Sequence, residues 1–336
     1  MLLNKVKLSK TKNILAVVLA ATFVSAASTT FADYSDNSKA QALMDKMVME
    51  YDYDRGDLEK IFTSASRDNR ILDSMNNAAE KVKPWSEYRP HFITDLRVRQ
   101  GSAFMQKHSE TLARAEQEYG VPPEVITAII GVETNYGSYT GKASVLNSLS
   151  TLAFEHPRRS KFFTSELENY LLLVRERDWQ ADEQLGSYAG AMGLGQFMPS
   201  NYRTLAVDFD GDGIVDLFNP VDAIGSVANY FKHHGWLSGQ PVSAPAVVVE
   251  GFDADEANRS LRPSKTIAEL AEHGYLSTVA YEPDAKAIAM RFSGLKGDEY
   301  WIGLTNFYVI SRYNPRQKYA MAVYHLSEEI KAAANG

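Results

Sequence analysis

The sequence predicts a mainly helical α+β protein in which a small α+β subdomain is inserted late in the chain. Three observations carry this prediction. Apolar residues recur at helical spacing through most of residues 37 to 236. The composition then changes to strand-like segments between residues 237 and 300. A loop rich in aspartate and glycine, residues 208 to 222, has the spacing of an EF-hand.

The first 32 residues have the composition of a cleaved secretory signal. Four lysines precede a short apolar segment from Ile14 to Val24, and small residues follow up to Ala32. The apolar segment is shorter than the ~20 residues that a membrane span needs, and no cysteine follows it to carry a lipid. We therefore expect cleavage near Ala32 and a periplasmic protein with no stable membrane anchor.

The charge and the cysteine content exclude several classes of function. Removal of residues 1–32, which hold four lysines and no acid, changes the net charge from −7 to −11. An acidic chain argues against a nucleic-acid partner, which would call for a basic surface. Because the chain has no cysteine, disulfides, thiol nucleophiles and cysteine metal sites are excluded, and its own core must hold it together.

Helical patterns occupy most of the chain before the glycine-rich region. They cover residues 37 to 79, 109 to 120, 123 to 135 and 164 to 179. Between the first two, the stretch KPWSEYRPHF is punctuated by two prolines and predicts a loop with exposed aromatic side chains, Trp85 and Tyr88.

The helix predicted from Pro123 to Asn135, with Gly137 at its exit, carries Glu133 on the same stripe as three isoleucines one and two turns before it. Burial and the negative end of the helix dipole are both expected to raise the pKa of this carboxyl. A carboxyl kept protonated near neutral pH is the usual general acid of glycosidic bond cleavage. The alternative is a structural glutamate paired with Arg158 or Arg159.

The acidic loop has the layout of an EF-hand up to its last position. Aspartates occupy positions one, three, five and nine, with glycine at six, but Asn219 stands where a bidentate glutamate is expected. Asn219 followed by Pro220 is typical of a helix start, so Asp222 in the first helical turn is the better last ligand. The alternative is an acidic turn without metal. We expect one structural calcium ion held by Asp208, Asp210, Asp212, Ile214 (through its carbonyl) and Asp222.

The region after Trp236 completes the predicted domain organisation. Residues 237–300 are predicted to form the small α+β insertion, with the segments 287–294 and 300–313 as strands or extended chain. Residues 301–336 return to the main body and end as a helix. The four parts are then a signal peptide (1–32), a helical catalytic core (33–236), the insertion (237–300) and the C-terminal segment (301–336).

Five motifs give the chain a specific resemblance. In order, GVETNYG, HPRRSKFF, GSYAGAMGLGQFMPS, VDFDGDG with NPVDAIGSVANYF, and SRYNPRQKYAMAVYHL resemble the lytic murein transglycosylase B family, over nearly all of the chain after residue 32. The resemblance implies a lysozyme-like catalytic core with an EF-hand-like calcium loop, acting on peptidoglycan glycan strands. It also implies cleavage of the β-1,4 bond between N-acetylmuramic acid and N-acetylglucosamine, with Glu133 as the single catalytic acid and 1,6-anhydromuramyl products.

The same resemblance places further residues around the substrate. It implies that the cleft is lined by Ser187, Gln196, Tyr230, Tyr313, Asn314 and Tyr319, with Tyr88, Arg158 and Arg159 nearer the rim. A tyrosine is usual in the family where this chain has Phe162, so one hydroxyl contact of the family is in question here.

The sequence leaves two other functions open and disfavours three more. A hydrolytic muramidase would cut the same bond but deliver water, and a non-catalytic calcium-stabilised protein would only bind glycan. A metalloprotease or an esterase is disfavoured because the histidines lack HExxH spacing and no serine lies in a nucleophile elbow. The glycine-rich stretch lacks the lysine and hydroxyl ending of a phosphate loop. The cell-wall synthesis machinery is a candidate protein partner.

Overall fold

The protein is described by a computed structural model, which covers residues 33–76 and 83–335. The predicted signal peptide lies outside the described residues. Within these ranges, no helix combines the length and the apolar character that crossing a membrane requires.

Eleven helices precede the main sheet in the described part of the chain. They are α1 (Ser38–Tyr51), α2 (Arg55–Ser64), α3 (Asn69–Asn76), α4 (Trp85–Phe92), α5 (Asp95–Lys107), α6 (Ser109–Tyr119), α7 (Pro123–Thr134), α8 (Val145–Glu155), α9 (Ser160–Glu176), α10 (Pro199–Leu205) and α11 (Pro220–His233). Two short strands, β1 (Ala143–Ser144) and β2 (Leu185–Gly186), pair antiparallel among them.

Local capping explains several of these helix ends. The side chains of Asn37, Thr94 and Ser144 accept backbone N–H groups in the first turns of α1, α5 and α8. Gly120 ends α6 in a left-handed conformation, with φ of 75°, as predicted for the glycine at this position. Asn219 caps α11 through Val221 N–H, and Pro220 is its first residue, as the sequence predicts.

A five-stranded antiparallel sheet lies in the region predicted as the insertion. Its order is β4-β6-β7-β3-β5, formed by β3 (Ser243–Val248), β4 (Lys265–Thr266), β5 (Tyr275–Ser277), β6 (Lys286–Gly294) and β7 (Gly297–Gly303), with α12 (Ile267–Glu272) between β4 and β5. The chain then forms α13 (Thr305–Tyr313) and α14 (Gln317–Asn335). The predicted mainly helical α+β fold class is confirmed.

Strand β6 joins the sheet to the helices because both of its faces are buried. Ala287 and Ala289 belong to a small core within the sheet region. The alternating residues Ile288, Met290 and Phe292 belong to the main core that the helices share.

Helix α7 is central to the helical body. It lies against α5, α6, α11 and α14, and its residues from Val125 to Gly131 are all buried. A helix that is apolar on all sides is typical of a core position. Its C-terminal end therefore leaves the core at a point where several elements meet.

The prediction of a loop with exposed aromatics at KPWSEYRPHF is wrong. The segment forms α4, and Trp85 and Tyr88 are only 2% and 3% exposed. The ring of Trp85 lies 5.3 Å from that of Phe292 on β6 and 5.7 Å from that of His325 on α14. Packing between the sheet and α14 therefore outweighs the turn preference of the two prolines.

The prediction of an extended segment after β7 is also wrong, because Thr305–Tyr313 is helix α13. The β-branched and aromatic residues of this segment resemble those of a strand, yet Phe307 and Ile310 are buried at helical spacing. The buried Asn306 side chain accepts Leu237 N–H and donates to the carbonyls of Leu237 and Gln240, at 2.8 to 2.9 Å. These bonds fix α13 to the chain that enters the sheet.

Candidate active site

Glu133 lies in the last turn of α7 and is half-buried. The left-handed residue that closes this helix is Asn135, with φ of 49°, so the helix ends before the predicted Gly137. Tyr136 and Gly137 continue in left-handed conformations, with φ of 59° and 83°. The turn carries the chain sharply away, so the Glu133 side chain stands where α7 leaves the core.

The residue after Glu133 fastens this turn to the glycine-rich stretch. The Thr134 hydroxyl is buried, lies 2.9 Å from the Leu194 carbonyl and 3.1 Å from the Ile130 carbonyl, and accepts Gly137 N–H at 3.0 Å. Sequence reasoning did not single out Thr134. Its only local signal is its place between Glu133 and the left-handed turn.

Tyr319, in the first turn of α14, donates its hydroxyl to Glu133 Oε1 at 2.5 Å. Its side chain is only 2% exposed. Burial first, and then the negative charge of Glu133, raise the pKa of Tyr319 well above its ordinary value. The phenol therefore stays protonated and acts as a fixed donor to one carboxyl oxygen.

Two further predicted tyrosines lie close to Glu133. Burial first, and to a lesser degree the charge of Glu133, raise the pKa of Tyr230 to about 12 and that of Tyr313 well above its ordinary value. Their rings are 4.7 Å apart, and Phe197 lies 5.8 and 6.1 Å from them. Their hydroxyls donate to backbone carbonyls, Tyr230 to Arg312 at 2.6 Å and Tyr313 to Gly195 at 2.7 Å. These donations fix the rings, and they use the hydroxyl protons.

The glycine-rich stretch folds as a series of tight turns. The Gln196 side chain, at a residue with φ of 51°, donates to the carbonyls of Thr140 and Gly193, both at 3.0 Å. Ser187 is half-buried, and its hydroxyl oxygen accepts Ala191 N–H at 3.1 Å. A Cβ on Gly141 would lie 2.0 Å from the Gly186 carbonyl oxygen, so two backbones approach each other there.

The remaining predicted substrate residues differ in exposure. Arg158 and Arg159 are exposed just before and at the start of α9. His156 Nδ1 accepts the backbone N–H groups of both residues at 3.1 Å. The guanidinium of Arg159 lies 4.6 Å from the centre of the Phe162 ring. Asn314 is half-buried at the end of α13. Tyr88 is buried, so the structure does not give it an exposed position at the rim.

The acidic loop brings three of its four predicted carboxylates together. Oxygen atoms of Asp208, Asp210 and Asp222 all lie within 4.8 Å of one another, whereas Asp212 is outside this group. The fully buried Asp222 accepts the N–H groups of Phe209 and Asp216 at 2.7 Å each. It thereby ties both ends of the loop to α11.

The other side chains of the loop complete its shape. Asp208 accepts Gly211 N–H at 2.7 Å and Gly213 N–H at 2.8 Å, and the latter bond is the main cause that lowers the pKa of Asp208. The two glycines have φ of 81° and 90°, a conformation that favours glycine. The Ile214 side chain is 61% exposed. Converging carboxylate oxygens on a tight loop fit a hard cation such as calcium.

Comparisons with known proteins identify relatives over nearly the whole described chain. A family model described as transglycosylase SLT domain matches residues 35–328. The chain is 43% identical over 310 residues to the membrane-bound lytic murein transglycosylase B of Escherichia coli strain K12. The match covers 90% of this chain and 85% of that protein.

Solved structures of lytic transglycosylases have a similar fold. The fold is similar to that of lytic transglycosylase SltB1 from Pseudomonas aeruginosa, with a TM-score of 0.86 and 48% identity over 90% of this chain and 100% of that chain. It is also similar to Escherichia coli lytic transglycosylase Slt35, solved in complex with calcium, with a TM-score of 0.83 and 42% identity over 91% of this chain and 96% of that chain.

Proposed function

Because this chain belongs to the transglycosylase SLT domain family and is a lytic murein transglycosylase acting on peptidoglycan, we propose that Glu133 is its single catalytic acid and base. The predicted lysozyme-like fold class is likewise confirmed by the similar structures. The observation that carries the proposal is the position of Glu133. It stands half-buried where α7 leaves the core, with Tyr319 2.5 Å from one carboxyl oxygen and two more tyrosines beside it.

The first proposed step is protonation of the leaving oxygen. Neutral Glu133 gives its proton to the glycosidic oxygen between N-acetylmuramic acid and N-acetylglucosamine, and the bond from that oxygen to C1 of the muramyl sugar breaks. N-acetylglucosamine leaves with the proton on its 4-hydroxyl. The positive charge that develops at C1 is stabilised by the N-acetyl carbonyl of the same muramyl sugar.

The second proposed step closes a ring and uses no water. The muramyl 6-hydroxyl attacks C1, and the Glu133 carboxylate takes its proton, which restores the acid. Glycosidases that use a protein nucleophile or an activated water normally need a second carboxylate. The stretches GVETNYG, GSYAGAMGLGQ and SRYNPRQKY contain one acid, Glu133. This supports a reaction in which the substrate supplies the nucleophile and the product is a 1,6-anhydromuramyl end.

Tyr319 is a positioning residue in this proposal. Its hydroxyl holds Glu133 Oε1 in place, and the hydrogen bond strengthens as the carboxyl becomes negative during proton transfer. Tyr230 and Tyr313 offer ring faces to sugars, because their hydroxyl protons already bind backbone carbonyls. Ser187, Gln196 and Asn314 are proposed to bind sugar substituents, with Arg158 and Arg159 nearer the rim. Tyr88 is buried and is assigned no contact with substrate.

The acidic loop is proposed to bind one structural calcium ion. Asp208, Asp210 and Asp222 would hold it directly, joined by Asp212 and the carbonyl of Ile214. Calcium would offset the repulsion of the converged carboxylates and so stabilise the start of α11, the helix that carries Tyr230.

We also propose that the protein works in the periplasm. The basic and apolar composition of residues 1–32 is that of a secretory signal, and peptidoglycan, on which the protein acts, lies outside the inner membrane. The cell-wall synthesis machinery remains the proposed protein partner.

Replacement of Glu133 by Gln tests the catalytic assignment. Glu133→Gln keeps the shape of the side chain and removes the proton donor, so release of soluble fragments from purified peptidoglycan should be almost abolished while glycan binding is retained. Glu124→Gln is the matched control, because Glu124 lies at the other end of α7 and forms a partly exposed ion pair with Lys331 at 2.8 Å. Full turnover in Glu133→Gln would remove Glu133 from the mechanism.

A further inference from the structure

The paired strands β1 and β2 form a narrow ribbon close to the turn that follows Glu133, with Ser144 opposite Leu185. We call residues 139–144 and 185–188 the ribbon. Three of its large side chains are exposed, namely Tyr139 (64%), Leu185 (49%) and Tyr188 (41%). Large apolar and aromatic side chains grouped on one exposed segment are typical of a binding surface.

The ribbon is tied directly to the proposed active site. Tyr139 N–H donates to the carbonyl of Thr134, the residue after Glu133, at 3.0 Å. The Gln196 side chain donates to the Thr140 carbonyl at 3.0 Å. Ser187 belongs to the ribbon itself and directly precedes Tyr188. Two residues proposed to bind sugars, Ser187 and Gln196, therefore lie on the ribbon or hold it, and a glycan that they bind lies beside it.

A pocket of about 360 Å³ lies between the ribbon and helices α3 and α8. The ribbon contributes residues 142–144 and Tyr188 to its wall. Arg70 on α3, Asp68 just before α3 and Asn147 on α8 line the opposite side. None of the described residues that line this pocket belongs to the set predicted to bind substrate. The pocket therefore adds a concave surface outside the predicted cleft.

The lining of this pocket carries little net charge. Arg70 donates to both carboxylate oxygens of Asp68 at 2.7 to 3.2 Å, so this pair is neutral as a whole, and Lys142 is the other charged residue of the described lining. Asn147 Oδ1 accepts Ser66 N–H at 2.8 Å, so the amide nitrogen is the end that can donate to a ligand. Amide, hydroxyl and ring groups around a nearly neutral space suit an uncharged polar ligand.

We propose that the ribbon and this pocket, together the distal subsite, bind sugar units of the glycan strand beyond those that flank the cleaved bond. The inference rests on the proposed function and makes a long strand, not a short fragment, its preferred substrate. The exposed rings of Tyr139 and Tyr188 offer apolar faces on which sugar rings pack, and Asn147 offers a donor to hydroxyl or N-acetyl groups. The volume is near the lower end of the roughly 300–1,000 Å³ of ligand sites, which suits one sugar unit.

The test compares peptidoglycan strands that differ only in length. Tetrasaccharides span the cleaved bond, whereas strands several disaccharides longer also reach the distal subsite. For the native protein, kcat/KM per cleavable bond should be about tenfold higher on the long strands, as packing of a sugar on an aromatic ring can supply. In Glu133→Gln, where turnover is almost abolished, the Kd for long strands should be lower than that for tetrasaccharides by a similar factor.

Double variants test the rings of the ribbon. In Tyr139→Ala/Tyr188→Ala the ratio of kcat/KM between long strands and tetrasaccharides should fall toward one, with the melting temperature as a check on folding. Tyr139→Phe/Tyr188→Phe retains both ring faces and should keep most of the ratio. The control Met49→Ala/Leu295→Ala removes two apolar side chains that are 75% and 88% exposed and do not line the pocket, and it should keep the native ratio.

A single variant tests the pocket. Asn147→Asp keeps an oxygen for Ser66 N–H and replaces the amide nitrogen by a second oxygen, so the bond that holds the chain is retained and the donor to a ligand is lost. The preference for long strands should fall severalfold in this variant, with a native melting temperature.

Three results would overturn the distal subsite. They are a native ratio near one, an unchanged ratio in folded Tyr139→Ala/Tyr188→Ala, or an equal slowing of both lengths in that variant, which would mean that the ribbon only supports the turn after Glu133. Failure of the proposed function has a different signature, because 1,6-anhydro ends would then be missing from the products of long strands and tetrasaccharides alike.

Discussion

Removal of the Tyr319 hydroxyl should slow catalysis without unfolding the protein. Tyr319→Phe keeps the buried ring, which is only 2% exposed, and deletes the donor that lies 2.5 Å from Glu133 Oε1. A hydrogen bond to a charged group contributes roughly 1.5–3 kcal/mol. Because this bond becomes charge-assisted as Glu133 gives up its proton, most of that energy is expected in the transition state.

The expected result is a fall in kcat of roughly 10- to 100-fold, since each 1.36 kcal/mol is a factor of ten, with a smaller change in KM. The variant also has a pH signature. The Tyr319 hydroxyl stabilises the ionised form of Glu133, so its loss makes the carboxyl harder to ionise. Glu133 then stays protonated to a higher pH, and the alkaline limb of the kcat/KM profile should move upward. A merely structural tyrosine would not move this limb.

The assay is release of soluble muropeptides from purified peptidoglycan over a range of pH. Tyr324→Phe is the matched control, because it removes a half-buried hydroxyl from the same helix, where Tyr324 donates to the Ser243 carbonyl at 3.0 Å. Native kcat and an unchanged pH profile in folded Tyr319→Phe would refute the positioning role. An equal loss in Tyr324→Phe would attribute the effect to α14 as a whole.

Three further predictions follow from other parts of the molecule. Chelation of calcium should lower the melting temperature of the native protein and of Asp284→Ala, an exposed control, but not of Asp210→Ala; a native melting curve indifferent to calcium and to chelator would contradict the metal site. Burial lowers the pKa of His325 from 6.5 to about 4, so its contribution to stability is complete above about pH 6.5 and is lost as the pH falls toward 4, by up to about 3 kcal/mol. The free energy of unfolding by urea should therefore fall less between pH 7 and pH 4.5 in His325→Gln than in the native protein. Equal falls in the two proteins would contradict this. The native protein should be recovered in the soluble periplasmic fraction, and its retention in washed membranes would contradict the predicted location.

The parts that could be predicted from the sequence are those encoded by neighbouring residues. The helix that carries Glu133, the cap at Asn219 and the spacing of the acidic loop depend on periodicity and on side chains within one or two turns. These local patterns are sufficient to place Glu133 near the end of a helix and Asn219 at the start of another.

The parts that could not be predicted depend on residues far apart in the chain. Trp85 and Tyr88 appeared to be loop aromatics because nothing nearby indicates that β6 and α14 cover them. The strand-like composition of α13 is outweighed by the hydrogen bonds that the Asn306 side chain makes with Leu237 and Gln240, which precede the sheet. The hydrogen bond between Tyr319 and Glu133 joins residues 186 positions apart, so only the fold brings them together.

The mass of the products tests the central claim most directly. Purified native protein should be incubated with peptidoglycan and the released muropeptides measured by mass spectrometry, with Glu133→Gln as the blank. The proposal predicts disaccharide peptides lighter than their hydrolysed counterparts by one water, because the muramyl 6-hydroxyl closes onto C1. Reducing muramic acid ends of full hydrolysed mass would contradict it, since water would then be the nucleophile.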